Sequence, residues 1–303
     1  MKNRHLTTAA GIAVCIAANP AFAQDQGLEA EFEAYVGQDV VPPDVIESEV
    51  GQDRIESLIG ANAAIAYNTG PALIEFSGWS EVYPTDSRYN RFGIGPSIGI
   101  DIPLTEQRRT RLRVGASYEY VFDDEDRVFD RVRGDVQLIH RHSRENTTIL
   151  RARYGYRNQS EERFTGFDQD EFLGELRHIW RPNGGPASIN LSLLGLHHKA
   201  DDDRFSYDGY GLMVIGRAPL DENWRAFARL SVVQRDYEDL FSQVYPVRRD
   251  DRHMRAMIGA ERGFDQNLSF FFEVGYVDNS SNVPVRDFDG LSGQIGIRWR
   301  TGQ

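Results

Sequence analysis

Cysteine and lysine are both scarce in this sequence of 303 residues. The one cysteine, Cys15, lies in an apolar stretch near the N-terminus, so the rest of the chain has no disulfide to stabilise it. Only Lys2 and Lys199 among the 34 basic residues are lysines, and the others are arginines. With 46 acidic residues the net charge is −12, which argues against nucleic-acid binding, because phosphate backbones require a basic surface.

Long hydrophobic runs are missing as well. The mean hydropathy is −0.49, and no stretch after residue 23 approaches the roughly 18 consecutive apolar residues of a transmembrane helix. The chain also has no internal repeat of the solenoid type and no change of composition that would separate two domains. The pattern therefore excludes helical membrane proteins and repeat arrays.

The first 23 residues have the layout of a secretory signal peptide. Lys2 and Arg4 precede an apolar segment at 9–18, and Ala21-Phe22-Ala23 supplies a small-residue cleavage site. We predict cleavage after Ala23, which leaves residues 24–303 as one domain. That domain keeps 32 basic and 46 acidic residues, a net charge of about −14.

Polar and apolar residues alternate with a period of two through most of the chain. Residues 111–122, RLRVGASYEYVF, place arginine, serine and glutamate on odd positions and apolar or aromatic residues on even ones. Such runs are 11 to 15 residues long. Strands of soluble proteins are nearer five or six residues, whereas a tilted strand that crosses a bilayer needs about 9–11. The length and the period together predict membrane-spanning β-strands.

Fourteen runs of this kind follow one another, and without the first two the count is twelve. They lie near 27–37, 53–67, 71–83, 88–101, 110–122, 128–141, 147–158, 170–181, 187–198, 207–218, 223–237, 249–262, 267–278 and 289–300. Short turns and longer charged connections alternate between them, as expected when turns are periplasmic and loops are extracellular. The sequence therefore predicts an all-β protein, an antiparallel up-and-down transmembrane β-barrel of about 14 strands, with 12 as the alternative.

The arginine-bearing face of these strands must point into the barrel, since an arginine facing lipid at the bilayer midplane costs about 2–4 kcal/mol. The residues predicted to line the lumen are Arg111, Arg113, Glu119, Arg131, Arg133, Asp135, Arg151, Arg153, Glu175, Arg177, Arg225, Arg229, Arg255, Glu261, Glu273 and Arg298. Two interpretations remain open for them: a network of salt bridges that packs the interior, or an arginine ladder that selects anions. Inward Phe227, Phe271 and Met257 predict that part of the lumen is filled.

Aromatic residues near the strand ends fit the two girdles that mark the membrane interfaces of such barrels. These residues are Trp79, Tyr83, Tyr120, Phe122, Tyr156, Trp180, Trp224, Tyr276 and Trp299.

No motif in the chain predicts catalysis, a cofactor or a bound metal. His197 and His198 in HHKADDDR are neighbours on a strand and point to opposite faces, so they are poorly placed to share a metal. His140 and His178 have no G-x-S-x-G nucleophile motif to serve, and Ser143 near His140 is predicted to be a turn residue. The chain is therefore predicted not to be an enzyme.

The last fifty residues carry a resemblance to a known family. Arg248, Arg249, Asp250 and Arg252 open a strand, a run FFFEVGYVDNSSN follows and ends in Ser281-Asn282, and a short loop with aromatic residues leads to the closing strand. This order resembles the end of the barrel in surface lipoprotein assembly modifiers. The resemblance implies a fourteen-strand barrel that helps a lipoprotein client to reach the cell surface.

The sequence thus predicts a protein of the bacterial outer membrane that assists export or surface display of a (lipo)protein, with a passive, arginine-lined porin for small anionic solutes as the alternative. The expected partners are outer-membrane lipid and lipopolysaccharide, the barrel-assembly machinery and a lipoprotein client, without nucleic acid.

Overall fold

The computed structural model describes residues 27–41, 54–124, 126–160 and 166–301. Within these ranges fourteen antiparallel strands form one closed barrel, in which each strand pairs with its neighbours along the chain and the last strand pairs with the first. The strands are β1 (Gly27–Val41), β2 (Arg54–Asn68), β3 (Ala72–Val82), β4 (Arg91–Pro103), β5 (Thr110–Phe122), β6 (Arg127–Arg141), β7 (Asn146–Gln159), β8 (Gln169–Trp180), β9 (Ser188–Ala200), β10 (Tyr207–Pro219), β11 (Trp224–Leu240), β12 (Arg248–Gly263), β13 (Leu268–Ser281) and β14 (Phe288–Arg300).

The predicted fold class is confirmed, and the twelve-strand alternative is wrong. The first two strands pair along their whole length, from Gly27 opposite Asn68 to Val41 opposite Arg54. The predicted signal peptide, residues 1–23, lies outside the described residues. No helix in the described part of the chain is long and apolar enough to cross a membrane.

The two ends of the barrel differ in their connections. One end, the short-turn rim, carries the connections 69–71, 104–109, 142–145, 181–187, 220–223 and 264–267. The other end, the long-loop rim, carries 83–90, 123–126, 201–206, 241–247 and 282–287, together with two connections that are wholly or largely outside the described residues. The predicted difference in length fails at 123–126, which is as short as a turn because β5 and β6 stay paired almost to their ends. It also fails at 104–109 and 181–187, which are as long as 201–206 and 241–247 on the other rim.

The outward face of the barrel is apolar, and its most regular feature is a row of leucines. Register pairs join leucine to leucine across six consecutive strands, β5 to β10. Five of these side chains are 37–57% exposed: Leu138, Leu150, Leu176, Leu193 and Leu212. A continuous apolar band around a barrel matches the hydrocarbon layer of a bilayer.

Large side chains fit inside the barrel because several lie over glycines on the neighbouring strand. The rings of Trp79 and Phe227 occupy the space that a side chain at Gly93 or Gly259 would need: an added Cβ would come within 2.2 Å of Trp79 Nε1 and 2.4 Å of Phe227 Cζ. Glycine is therefore required at these positions for packing, since both rings are held against a neighbouring strand.

Two of the predicted girdle residues are wrongly assigned. Trp79 and Tyr83 line the interior of the barrel. Trp79 Nε1 donates a hydrogen bond to Glu119 Oε1 at 3.3 Å, and the Tyr83 ring meets Tyr89 edge-on at 5.9 Å between centroids. Burial raises the pKa of the Tyr83 hydroxyl. An aromatic residue near a strand end is not enough to assign a girdle, because its parity decides which face it occupies.

Candidate functional site: an arginine-lined lumen

A cavity of about 2980 Å³ occupies the interior and reaches both rims. Its lining includes Gly70 and Ser143 in short turns and Phe205 and Arg286 at the long-loop rim. All sixteen residues that the strand parity assigned to the lumen line this cavity except Glu175 and Arg177. Those two lie in the wall, where Arg177 Nη2 is 2.7 Å from Glu175 Oε1.

Arginine dominates the lining. Among the described residues, 22 arginines line the cavity against 11 aspartates and glutamates, although the whole chain is acidic. The lumen therefore carries an excess of fixed positive charge, and the surplus of acidic residues lies elsewhere on the molecule. The predicted set omitted Arg217, Arg249 and Arg300, which also line the cavity. The alternation of faces along a strand could have identified Arg249 and Arg300. Arg249 lies two residues from Asp251 and Arg300 two residues from Arg298, and both of these residues point inward.

One wall, formed by β4 to β8, holds several of its arginines in salt bridges. Asp101 accepts from Arg113 Nη2 at 2.7 Å and from Arg111 Nη1 at 3.3 Å. Asp135 pairs with Arg151 on the neighbouring strand. These arginines are fixed by carboxylates on adjacent strands, which is the packing role that the sequence left open.

The same wall continues toward the long-loop rim as a larger ionic cluster. Glu119 accepts from Arg131 Nη2 at 2.5 Å, and Glu171 accepts from Arg157 Nη2 at 2.6 Å. Arg131 also lies 3.5 Å from Glu171, so it joins the two carboxylates across β5, β6 and β8. Guanidinium groups suit this bridging because one planar group presents several donors at once.

A second ionic cluster lies at the seam where the barrel closes. Arg298 on β14 donates to Glu33 on β1 at 2.7 Å and to Glu261 on β12 at 2.7 Å. Its guanidinium carbon lies 4.8 Å from the centroid of the Phe271 ring. Arg300 is 3.2 Å from Glu31. The first and last strands are thus joined by side chains as well as by the backbone ladder.

The wall formed by β10 and β11 is different, because its arginines near the short-turn rim have no carboxylate partner. Arg217, Arg225 and Arg229 all line the cavity, and we call them the free arginine bank. None of the three has a carboxylate oxygen within 4.0 Å in the described structure, whereas Arg111, Arg113, Arg151 and Arg298 do. Some arginines of the lumen are therefore neutralised by carboxylates, and those of the free arginine bank are not.

The histidine-containing segments form no metal centre in the part of the chain that the structure describes. His197 and His198 lie on β9, on opposite faces. His197 Nδ1 is 2.8 Å from Asp208 Oδ1, while the His198 ring stacks on Tyr207 inside the barrel at 4.4 Å. The residues 201–206 that follow form the connection to β10.

His140 and His178 lie on the outer face of the barrel near the short-turn rim. His140 Nδ1 is 2.9 Å from the Thr110 hydroxyl, and His178 Nδ1 is 3.1 Å from the Thr148 hydroxyl. Ser143 accepts hydrogen bonds from the backbone N–H groups of residues 145 and 146 within its turn. The arrangement is a row of polar contacts between strands.

Comparison with known proteins identifies the architecture and nothing finer. No protein-family model matches the sequence, and no curated protein gives a significant match. Among solved structures, OmpT of Vibrio cholerae is 10% identical with a TM-score of 0.48, over 91% of this chain and 99% of that one.

Two other outer-membrane barrels align over a similar extent. An anion-selective porin from Comamonas acidovorans is 11% identical with a TM-score of 0.45, over 91% of this chain and 100% of that one. Omp33 of Acinetobacter baumannii is 9% identical with a TM-score of 0.45, over 92% and 99%. At these values the likeness concerns the barrel architecture alone and says nothing about function.

Proposed function

We propose that this protein is an outer-membrane channel that lets small anionic solutes diffuse through its lumen. The observation that carries the proposal is the charge of the cavity: 22 arginines against 11 acidic residues in a lining that reaches both rims. Fixed charge of one sign inside low-dielectric walls concentrates ions of the opposite sign. Anions are therefore favoured over cations in the lumen.

The two walls have separate roles in this proposal. The salt bridges of β4 to β8 keep their arginines close to the wall, which holds the lumen open and contributes little net field. The free arginine bank on β10 and β11 supplies charge that no carboxylate within ion-pair distance neutralises. Both interpretations of the sequence are retained, each for a different part of the barrel.

The test is ion selectivity in planar bilayers with the full-length mature protein. Under a gradient of KCl, we expect stepwise conductance and a reversal potential of the sign set by chloride. Heat-modifiable migration on a gel verifies that the inserted protein is folded. Folded protein that gives no conductance steps would contradict the proposal. Conductance with a reversal potential of the sign set by potassium would contradict it as well.

A second candidate is the export role implied by the resemblance to surface lipoprotein assembly modifiers. The segments that carry that resemblance meet at the long-loop rim: Asn282 Oδ1 accepts from the Asp250 N–H at 2.9 Å, and Asn282 Nδ2 donates to the Arg248 carbonyl at 2.8 Å. These hydrogen bonds join the ends of β12 and β13 at the rim where a surface client would emerge. Deleting the gene and measuring surface-exposed lipoproteins by protease accessibility tests this role, and an unchanged set argues against it.

The exterior of the barrel supports the proposed location and partners. The apolar band and the closed sheet fit the outer membrane, with the long-loop rim among lipopolysaccharide and insertion by the barrel-assembly machinery. Fractionation of cells on a density gradient tests the location, and we expect the protein with outer-membrane markers.

A further inference from the structure

Three arginines surround one aromatic residue on the β10–β11 wall. In the register of these strands Arg217 lies opposite Phe227, and Arg225 and Arg229 lie two residues to either side of Phe227 on β11. Neighbouring strands are about 4.8 Å apart and the rise is about 3.3 Å per residue, so both flanking backbone positions are about 8 Å from Arg217. Long arginine side chains at these positions converge on the same volume of the lumen.

The carboxylate that pairs with this group in the sheet register is already engaged elsewhere. Glu261 lies opposite Arg225 in the β11–β12 ladder. Its oxygens accept from Arg298 Nη1 at 2.7 Å and from the Ser269 hydroxyl at 2.8 Å, and Arg300 is 3.6 Å away. Glu261 therefore stabilises the seam and leaves Arg225 without a partner within ion-pair distance.

The strongest charges that act on Arg217 are those of three arginines and of one carboxylate, Glu261. The cations that act most strongly on Arg217 are Arg229, Arg298 and Arg300, in that order. Glu273 is the charged group that acts most strongly on Arg229, but it lies beyond ion-pair distance and accepts from Gln294 at 2.9 Å. The Nε of Arg229 is buried and has no hydrogen-bond partner within the described structure. A buried donor without a partner is costly, and an anion that accepts from it removes that cost.

We propose that Arg217, Arg225 and Arg229 form a binding station for a small oxyanion of the carboxylate or phosphate class. The planar guanidinium fork matches the paired oxygens of both groups, and neighbouring forks can hold one anion from two sides. The station lies near the short-turn rim, where a solute that crosses the lumen must pass. This inference rests on the proposed channel function for its biological meaning, but the binding itself does not require conduction.

The test measures binding in detergent, apart from transport. The urea midpoint of the full-length mature protein is followed by tryptophan fluorescence while inorganic phosphate or succinate replaces chloride at constant ionic strength. A ligand that binds only the folded state raises the midpoint as its concentration exceeds the dissociation constant. We expect the oxyanion to raise the urea midpoint of the wild type. The variant Arg217→Gln/Arg229→Gln should need at least about tenfold more oxyanion for the same rise, since charge-assisted hydrogen bonds are lost.

The matched control is Arg262→Gln. Arg262 lies on β12 near the same rim but is exposed on the outer face, so the variant removes an arginine, one charge against the two of the double variant, without touching the lumen. It should behave as the wild type. If phosphate and succinate stabilise the double variant as well as the wild type, the anions act on the surface in general and the station does not exist.

Two further measurements separate the remaining outcomes. If the double glutamine variant does not fold, Arg217→Lys/Arg229→Lys keeps the charge but loses the fork, and weaker oxyanion binding than the wild type is the supporting result. Stabilisation by phosphate alone assigns the phosphate class, and by succinate alone the carboxylate class. Binding without conductance contradicts the channel and leaves the station, whereas conductance without binding contradicts the station and leaves the channel.

Discussion

Replacing Arg298 by glutamine tests how the barrel is closed. Arg298 holds Glu33 of the first strand and Glu261 of the third-last strand, and its side chain is only 16% exposed. The substitution leaves Glu33, 7% exposed, with the Asn62 amide at 3.2 Å as its remaining partner, whereas Glu261 keeps Arg300 at 3.6 Å. Removing one partner of a buried pair costs about 3–5 kcal/mol. Because only one carboxylate is orphaned and the lumen holds water, we expect a loss of about 2–3 kcal/mol.

The assay is urea unfolding in detergent micelles or lipid vesicles, followed by tryptophan fluorescence and by heat-modifiable migration. The double variant Arg298→Gln/Glu33→Gln should recover part of the loss, since it removes the unpaired charge. Arg262→Gln, on the outer face of the same rim, is the control for removing an arginine and should stay within about 0.5 kcal/mol of the wild type. The reasoning is refuted if Arg298→Gln has the same urea midpoint as the wild type, or if adding Glu33→Gln lowers the stability further.

Two other predictions concern the inward packing and the orientation of the strands. Gly93→Ala should cost about 1–3 kcal/mol and shift the fluorescence of Trp79, because the new Cβ meets the indole, while Gly99→Ala on the same strand has open space and should cost less. Equal losses in a urea titration would contradict this packing. In a chain whose signal peptide is removed, Ser117→Cys should react with a water-soluble thiol reagent through the lumen, and Val114→Cys, 40% exposed on the outer face, should be protected by lipid vesicles. Equal labelling rates would mean that the assignment of faces in β5 is wrong.

Local sequence information was sufficient for the architecture because a membrane strand has a long, strict and two-sided pattern. In RLRVGASYEYVF each residue has one of two environments, and parity alone separates them. Closure follows, because an open sheet edge cannot be left unpaired in lipid. The same reasoning failed for Trp79 and Tyr83, whose place near a strand end indicated a girdle although their side chains point inward.

The sequence by itself determined the antiparallel order of the strands and the inward face of the arginines, since both depend on neighbours along the chain, and it left twelve strands open beside fourteen. Only the tertiary structure decided which arginines are neutralised. Arg113 meets Asp101 and Arg298 meets Glu33 across strand pairings, whereas Arg217 and Arg229 meet no carboxylate within 4.0 Å in the described residues. Ion pairing depends on register and on which strands the closed barrel brings side by side, and for β1 and β14 those strands are the most distant in the chain.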